Sequence, residues 1–247
     1  FINDKYNVFT IYHLAALLSS QASKNPQKAH DVNVNGMLKL INFAHKQYNI
    51  HHQKIPFFFP SSIAVYGVPN QKDFKKEKCL KENQLLSPLT IYGANKLYCE
   101  LLGNYYNGKE IDFRSIRFPG IISAHTLPTG GTTDYFPEMI HAAAQNKKYT
   151  CEVNKDSKLP FMTMPDAILA INLLMSASNS NLTQRVYNIR AFAPTVNEFV
   201  LKIKSFYKNF EIKYKINYSK QSRINSWPED VDDTKAKAGK YFPGLNI

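Results

Sequence analysis

The chain has 247 residues, 44% hydrophobic and 13% aromatic, enough for a substantial core and too apolar for a disordered chain. Its formal charge is +12, but 26 of the 31 cations are lysines scattered singly or in short groups such as Lys72, Lys75, Lys76 and Lys78, which predicts a solvated basic surface and no nucleic-acid partner. No apolar run reaches the roughly 18 to 20 residues that span a bilayer, and Cys79, Cys99 and Cys151 have neither disulfide-framework nor zinc-ligand spacing, so a soluble protein with no membrane contact and no metal is expected.

The chain opens on Phe1, and NVFTIYHLAALL already reads as a buried strand in mid-domain, so the natural amino terminus and any targeting signal are expected upstream. Residues 7 to 18 are predicted as that apolar strand. Asn25-Pro26 supplies an N-cap with proline at the first helical position and opens a helix through NPQKAHDVNVNGMLKLINFAHKQY. IPFFFPSSIAVYG is the next strand, Ser87-Pro88 repeats the cap-plus-proline device before a second helix, and DFRSIRFPGIIS is a third strand. Continuous rather than alternating apolarity predicts a parallel sheet covered on both faces, the doubly wound Rossmann-type α/β fold.

Beyond residue 124 shorter pieces follow: the loop TLPTGGTTDYF and a helix, then YTCEV, LPFMTMPDAILAINLLMSA, VYNIR, and a helix opened by Thr195 and Glu198 as a capping box. Residues 1–124 are therefore expected to form a Rossmann domain lacking its amino-terminal part. Residues 125–247 are expected to be mainly a smaller α+β substrate lobe, with returns to the Rossmann sheet allowed.

Within SPLTIYGANKLYCELLGNYY, Tyr92 and Lys96 stand four apart on one helix face, where a lysine ammonium can favour the phenolate of a neighbouring tyrosine. Spacing alone is weak, because 15 tyrosines and 26 lysines in 247 residues make about one or two such pairs expected by chance. Tyr105 and Lys109 have the same spacing at the far end of the helix and read as surface. Ser62 ends a buried strand at the side where such sheets bind ligands, although Ser-Ser after a strand is also an ordinary turn. Ala15, Ala16 and Ser19 would let a flat ligand approach, and equally suit plain packing.

Taken together, HLAA, NVNG, PSSIAVYG, YGANK thirty positions after Ser62, RFPG, GGTTDYF, KYTCEV, LPFMTMPDAI and SWPEDVDD resemble the extended short-chain dehydrogenase/reductase family. Within it the match is to the L-threonine 3-dehydrogenase branch, related to the sugar-nucleotide epimerases. The resemblance implies bound NAD and a catalytic set at Ser62, Tyr92 and Lys96, with L-threonine oxidised to 2-amino-3-oxobutyrate. It implies that Lys96 lowers the Tyr92 pKa and that Asn33 orients Lys96 through water. The nicotinamide side of the cofactor site would comprise Leu14, Ala15, Ala16, Asn33, Tyr92, Lys96, Pro119, Gly120, Ile121 and Ile122. Substrate contacts would come from Ser19, Ser62, Tyr92, Thr133, Asp134 and Trp227, although Thr-Thr-Asp is also a helix start and Trp227 also a hydrophobic plug.

The resemblance further implies a homodimer formed partly through the Tyr92 helix, whose Leu97, Leu101 and Leu102 could equally be intramolecular core. It implies the mitochondrial matrix if the chain follows eukaryotic relatives and the cytoplasm otherwise. Two departures stand out. No Gly-x-x-Gly-x-x-Gly or ribose-reading acidic residue follows a first strand. Gly120 and Leu159 replace the asparagine and arginine with which sugar-nucleotide relatives hold a diphosphate. A sugar-nucleotide epimerase or dehydratase, or a non-catalytic binding relative, remain the competing readings.

Overall fold

In the computed structural model, residues 6–67, 79–128 and 130–238 are described; the Lys72 to Lys78 group lies outside them. In chain order, β1 (Ile11–Tyr12) is followed by α1 (Ser19–Lys24), α2 (Pro26–His30), a π-helical turn (Asp31–Asn35) and α3 (Gly36–His51). Then come β2 (Ile55–Ser62), a 3-10 turn (Ile63–Val65), β3 (Cys79–Leu80), α4 (Ile91–Tyr106), β4 (Ile111–Phe118) and β5 (Gly120–Ile122). The remainder comprises α5 (Tyr135–Ala144), β6 (Tyr149–Cys151), β7 (Phe161–Thr163), α6 (Met164–Ser176), β8 (Val186–Asn188), α7 (Val196–Phe206), β9 (Ile212–Tyr214), α8 (Tyr218–Asn225), β10 (Asp230–Val231) and α9 (Thr234–Ala238).

The main sheet runs β1-β2-β4-β8, every pair parallel, as the unbroken apolarity of the strands requires. Alternate residues supply its two faces. Phe57, Phe59, Ile111 and Phe113 pack with Met37 and Ile41 of α3 and Cys99 of α4, whereas Phe58, Ile116 and Phe118 pack with Ala167, Ala170 and Leu174 of α6. On the α6 face Arg114 donates to the Leu174 and Ala177 carbonyls at 2.6 and 2.7 Å, capping a helix end with a cation. A third cluster gathers Tyr135, Phe136, Phe161, Val200 and Trp227, with Phe136 stacked on Phe161 and Phe199 at 4.1 and 3.8 Å between centroids.

Two of the three expected helix openings with a polar cap are present. Asn25 accepts from Lys28 N with Pro26 in the first turn, and Thr195 and Glu198 form the capping box. Ser87-Pro88, in contrast, lies ahead of α4; the cap is Thr90, whose Oγ1 accepts from Gly93 N at 3.0 Å. A strand over 7–18 is not seen. After Ile11–Tyr12 and one further bond from His13 N to Phe58 O, Leu14 N turns back to Tyr12 O at 3.1 Å and ends the ladder. DFRSIRFPGIIS is broken at Pro119, which has no N–H to continue pairing; Gly120–Ile122 instead pairs with β7.

Candidate active site

Three elements converge at the carboxyl end of β2: the strand end itself, the extended segment after β1, and the first turn of α4. Close approach of α4 depends on Gly93, where a Cβ would lie 2.0 Å from the Ala64 carbonyl oxygen of the 3-10 turn. That absent methyl lets Tyr92 reach Ser62. The Ser62 side chain hydrogen-bonds the Tyr92 phenol and accepts from Ala64 N at 3.2 Å, so it is both a turn cap and a partner of the phenol.

One turn further along α4, Lys96 is 4% exposed. Its Nζ donates to the Pro60 carbonyl at 2.5 Å and lies 4.6 Å from the Phe59 ring centroid and 5.5 Å from that of Tyr92. Burial lowers the Lys96 pKa to about 8, opposed by Cys99 and Glu100. Burial pushes the Tyr92 phenol up to about 12, opposed by the Ser62 hydrogen bond. In this structure the ammonium is therefore directed at a backbone carbonyl, and burial outweighs any lowering of the phenol. His13, beside the same lysine, is held down at about 4 by burial and then by the Lys96 charge.

Around this group lies a cavity of about 520 Å³. Of the residues singled out in the sequence, Leu14, Ala16, Ser19, Ser62, Tyr92, Lys96, Pro119, Gly120, Ile121, Thr133, Asp134 and Trp227 line it. Ala15, Asn33 and Ile122 do not. Ala15 falls between Leu14 and Ala16 and is exposed, as side-chain alternation in an extended segment dictates. Asn33 sits behind the wall on the π-helical turn, accepting from Leu17 N at 2.8 Å and donating to Leu17 O at 3.2 Å, so it clamps the segment by direct bonds. Ile122 packs against the third core cluster.

The remaining wall residues have uneven sequence signals. Met164, Ala167, Ile168 and Ile171 were legible in principle as one helical stripe of MPDAILAI. Thr132 was not, because its contact is tertiary: its Oγ1 lies 3.0 Å from Oγ of Ser19, which is the first residue of α1 and not a strand end. Asp134 precedes α5 without capping it; its carboxylate accepts from Gly130 N and Gly131 N at 2.9 and 2.7 Å and shapes the loop over the cavity. Gly120 is demanded by packing, since a Cβ there would lie 2.3 Å from the Phe161 ring, and Leu159 is fully buried in the third core cluster. Among the described residues no His, Cys, Asp and Glu group could hold a metal ion, and no helix is long and apolar enough to cross a membrane.

The profile of the NAD dependent epimerase/dehydratase family matches residues 1–189. An uncharacterized epimerase/dehydratase of Staphylococcus haemolyticus is 37% identical over 238 residues, covering 96% of this chain and 71% of that protein. The mitochondrial L-threonine 3-dehydrogenase of Bos taurus is 32% identical over 228 residues, covering 92% of this chain and 58% of that protein. Among solved structures, the L-threonine dehydrogenase of Phytophthora infestans superposes with a TM-score of 0.86 at 38% identity, covering 98% of this chain and 75% of that one. The Clostridium difficile L-threonine dehydrogenase gives 0.87 at 35% identity, covering 99% and 75%. The Rossmann-like fold, the Ser62, Tyr92 and Lys96 cluster at its strand ends and these matches agree: the chain belongs to the NAD dependent epimerase/dehydratase family of extended short-chain dehydrogenase/reductases.

Proposed function

We propose that this protein oxidises the secondary hydroxyl of L-threonine with NAD+, giving 2-amino-3-oxobutyrate and NADH. The observation that carries the reading is the hydrogen-bonded Ser62 and Tyr92 pair, with Lys96 beside it, at the floor of a cavity sized for a small substrate. Tyr92 takes the hydroxyl proton and Ser62 holds the hydroxyl in line. The residues present fit the nicotinamide end of the cofactor: Leu14, Ala16 and Pro119 to Ile121 offer flat, largely apolar walls, and Lys96 offers a donor to a ribose hydroxyl. When bound, NAD+ accepts the hydride from the carbon that bears the hydroxyl. Its positive ring would also oppose the burial that holds the Tyr92 phenol at about 12.

For the amino acid's own charges, Ser19, Thr133 and Asp134 supply hydroxyls and a carboxylate along one wall, and Trp227 closes another. Against a nucleotide sugar stand Gly120, whose missing side chain is filled by Phe161, and Leu159, which is fully buried. Neither position has room for a diphosphate-binding asparagine or arginine without repacking. A homodimer through α4 is part of the same reading, because Tyr98, Leu101 and Tyr105 form an exposed stripe at helical spacing. Supplying L-threonine and NAD+ to the protein and following NADH absorbance tests the assignment. UDP-glucose is offered in parallel; epimer or keto-sugar without threonine turnover would replace the reading with the sugar-nucleotide one.

A further inference from the structure

Behind the catalytic cluster, on the α4 face of the sheet, lies a buried ion pair to which no step of the proposed reaction assigns a part. Arg117 of β4 grips Glu100 of α4 with both arms, Nε to Oε1 at 2.9 Å and Nη2 to Oε2 at 2.7 Å. Glu100 Oε1 also accepts from the Ser61 hydroxyl. Ser61 and Arg117 are direct partners across the β2–β4 ladder, so their side chains share a face and reach the same carboxylate. The free Nη1 of Arg117 donates to Tyr66 OH at 2.8 Å and to Glu82 O at 2.6 Å, and Tyr66 OH donates to Asn188 Oδ1 at 2.7 Å. Ser61 and Arg117, and through Arg117 also Tyr66 and Asn188, are thereby joined to one carboxylate.

Three rungs join α4 to the last three residues of β2. Tyr92 meets the Ser62 hydroxyl, Lys96 meets the Pro60 carbonyl, and Glu100 meets the Ser61 hydroxyl. Four-residue steps put Tyr92, Lys96 and Glu100 along one stripe of the helix. A buried ion pair is a poor source of net stability, because desolvating both ions cancels most of their attraction. Its geometry, however, is restrictive: a bidentate Arg–carboxylate fork fixes distance and angle at once.

We propose that Ser61 and Glu100, with Arg117 holding the carboxylate, are positioning residues that set how α4 sits against the end of β2, and thereby the Ser62–Tyr92 and Lys96–Pro60 contacts. The proposal rests on the dehydrogenase reading for its kinetic consequence but not for its structural one. Glu100 and Arg117 lie outside the cavity lining; Ser61 borders the cavity, with its hydroxyl turned to Glu100. Ser61 is the point to probe, because its removal leaves Glu100 still gripped by Arg117 and the fold intact.

In the Ser61→Ala variant kcat falls roughly tenfold, since sub-ångström misplacement of reacting groups is expensive. KM for threonine and for NAD+ stays within about twofold, because Ser61, although it borders the cavity, is 3% exposed and gives its hydroxyl to Glu100. Ser61→Thr, which restores the hydroxyl, recovers most of kcat, and Glu100→Gln, which keeps the shape but weakens the fork, repeats the loss. An unchanged kcat in Ser61→Ala, or a loss that Thr does not rescue, overturns the proposal. A second readout is independent of substrate: 3-fluorotyrosine placed at position 92, with its 19F resonance recorded in each variant. If the resonance shifts in Ser61→Ala and returns in Ser61→Thr while the unsubstituted protein oxidises no threonine, the positioning role stands and the threonine reading falls. If threonine is oxidised but neither resonance nor kcat responds, the positioning role falls alone.

Discussion

One Tyr/Lys pair four residues apart opens α4 and another straddles its end, and the two are put to opposite uses. At the first turn, Lys96 is buried with its ammonium on the Pro60 carbonyl, and Tyr92 hydrogen-bonds Ser62 inside a cavity. At the last turn, Tyr105 is 63% exposed and Lys109 simply rides over its ring, 3.4 Å from the centroid. Helical geometry brings Tyr92 and Lys96 together, whereas Lys109 comes back over Tyr105 from the turn that follows the helix. Only desolvation and a third partner turn such a neighbourhood into a site with shifted proton affinities.

The largest expected difference is chemical. Tyr92→Phe should lower turnover by about 10³-fold with an unchanged fold, because it removes the proton acceptor itself. Near-normal NADH formation in that variant would break the comparison outright. Gly93→Ala comes next: its methyl would meet the Ala64 carbonyl oxygen at 2.0 Å, so the start of α4 must retreat from Ser62. A destabilisation of roughly 2 kcal/mol in chemical denaturation and a marked fall in kcat are expected. Full stability there would mean that Tyr92 is not held by close approach.

A third measurement separates the lysines. Lys96 has a folded pKa of about 8, below its ordinary 10.5, so between those values the unfolded chain binds the additional proton. The cost of burying the cation is therefore full below pH 8 and is relieved as pH rises toward 10.5. Relative to Lys96→Met, the native protein should gain on the order of 2 kcal/mol of stability across that window. A parallel pH dependence of the two proteins would show that Lys96 is well solvated. The smallest effect belongs to Lys109→Ala, which should leave turnover unchanged and cost about 0.5 kcal/mol for the lost cation–π contact.

What could be read from residue order was whatever depends on local periodicity and near neighbours. Unbroken apolar runs marked parallel strands, and the Asn25 and Thr195 caps marked helix starts, because these preferences are satisfied within a few residues of chain. The resemblance to dehydrogenases picked out Ser62, Tyr92 and Lys96, and these the fold does gather at one cavity. Where the reading overran, a contact distant in sequence had intervened. The first strand stops at Tyr12 because the chain turns away over the cavity, and the strand after Phe118 changes sheet because Gly120 pairs with Phe161.

Sequence by itself therefore determined the class of fold, the family, and the side chains available for chemistry, since each is written in patterns a few residues long. Tertiary structure alone decided which of two identical Tyr/Lys pairs is desolvated, that Thr132 faces Ser19 across 113 positions, and that Ser61, Glu100 and Arg117 share one buried carboxylate. The physical reason is the same throughout. Burial and hydrogen-bond partnership depend on what packs against a residue from elsewhere in the chain, and no local spacing encodes that neighbour.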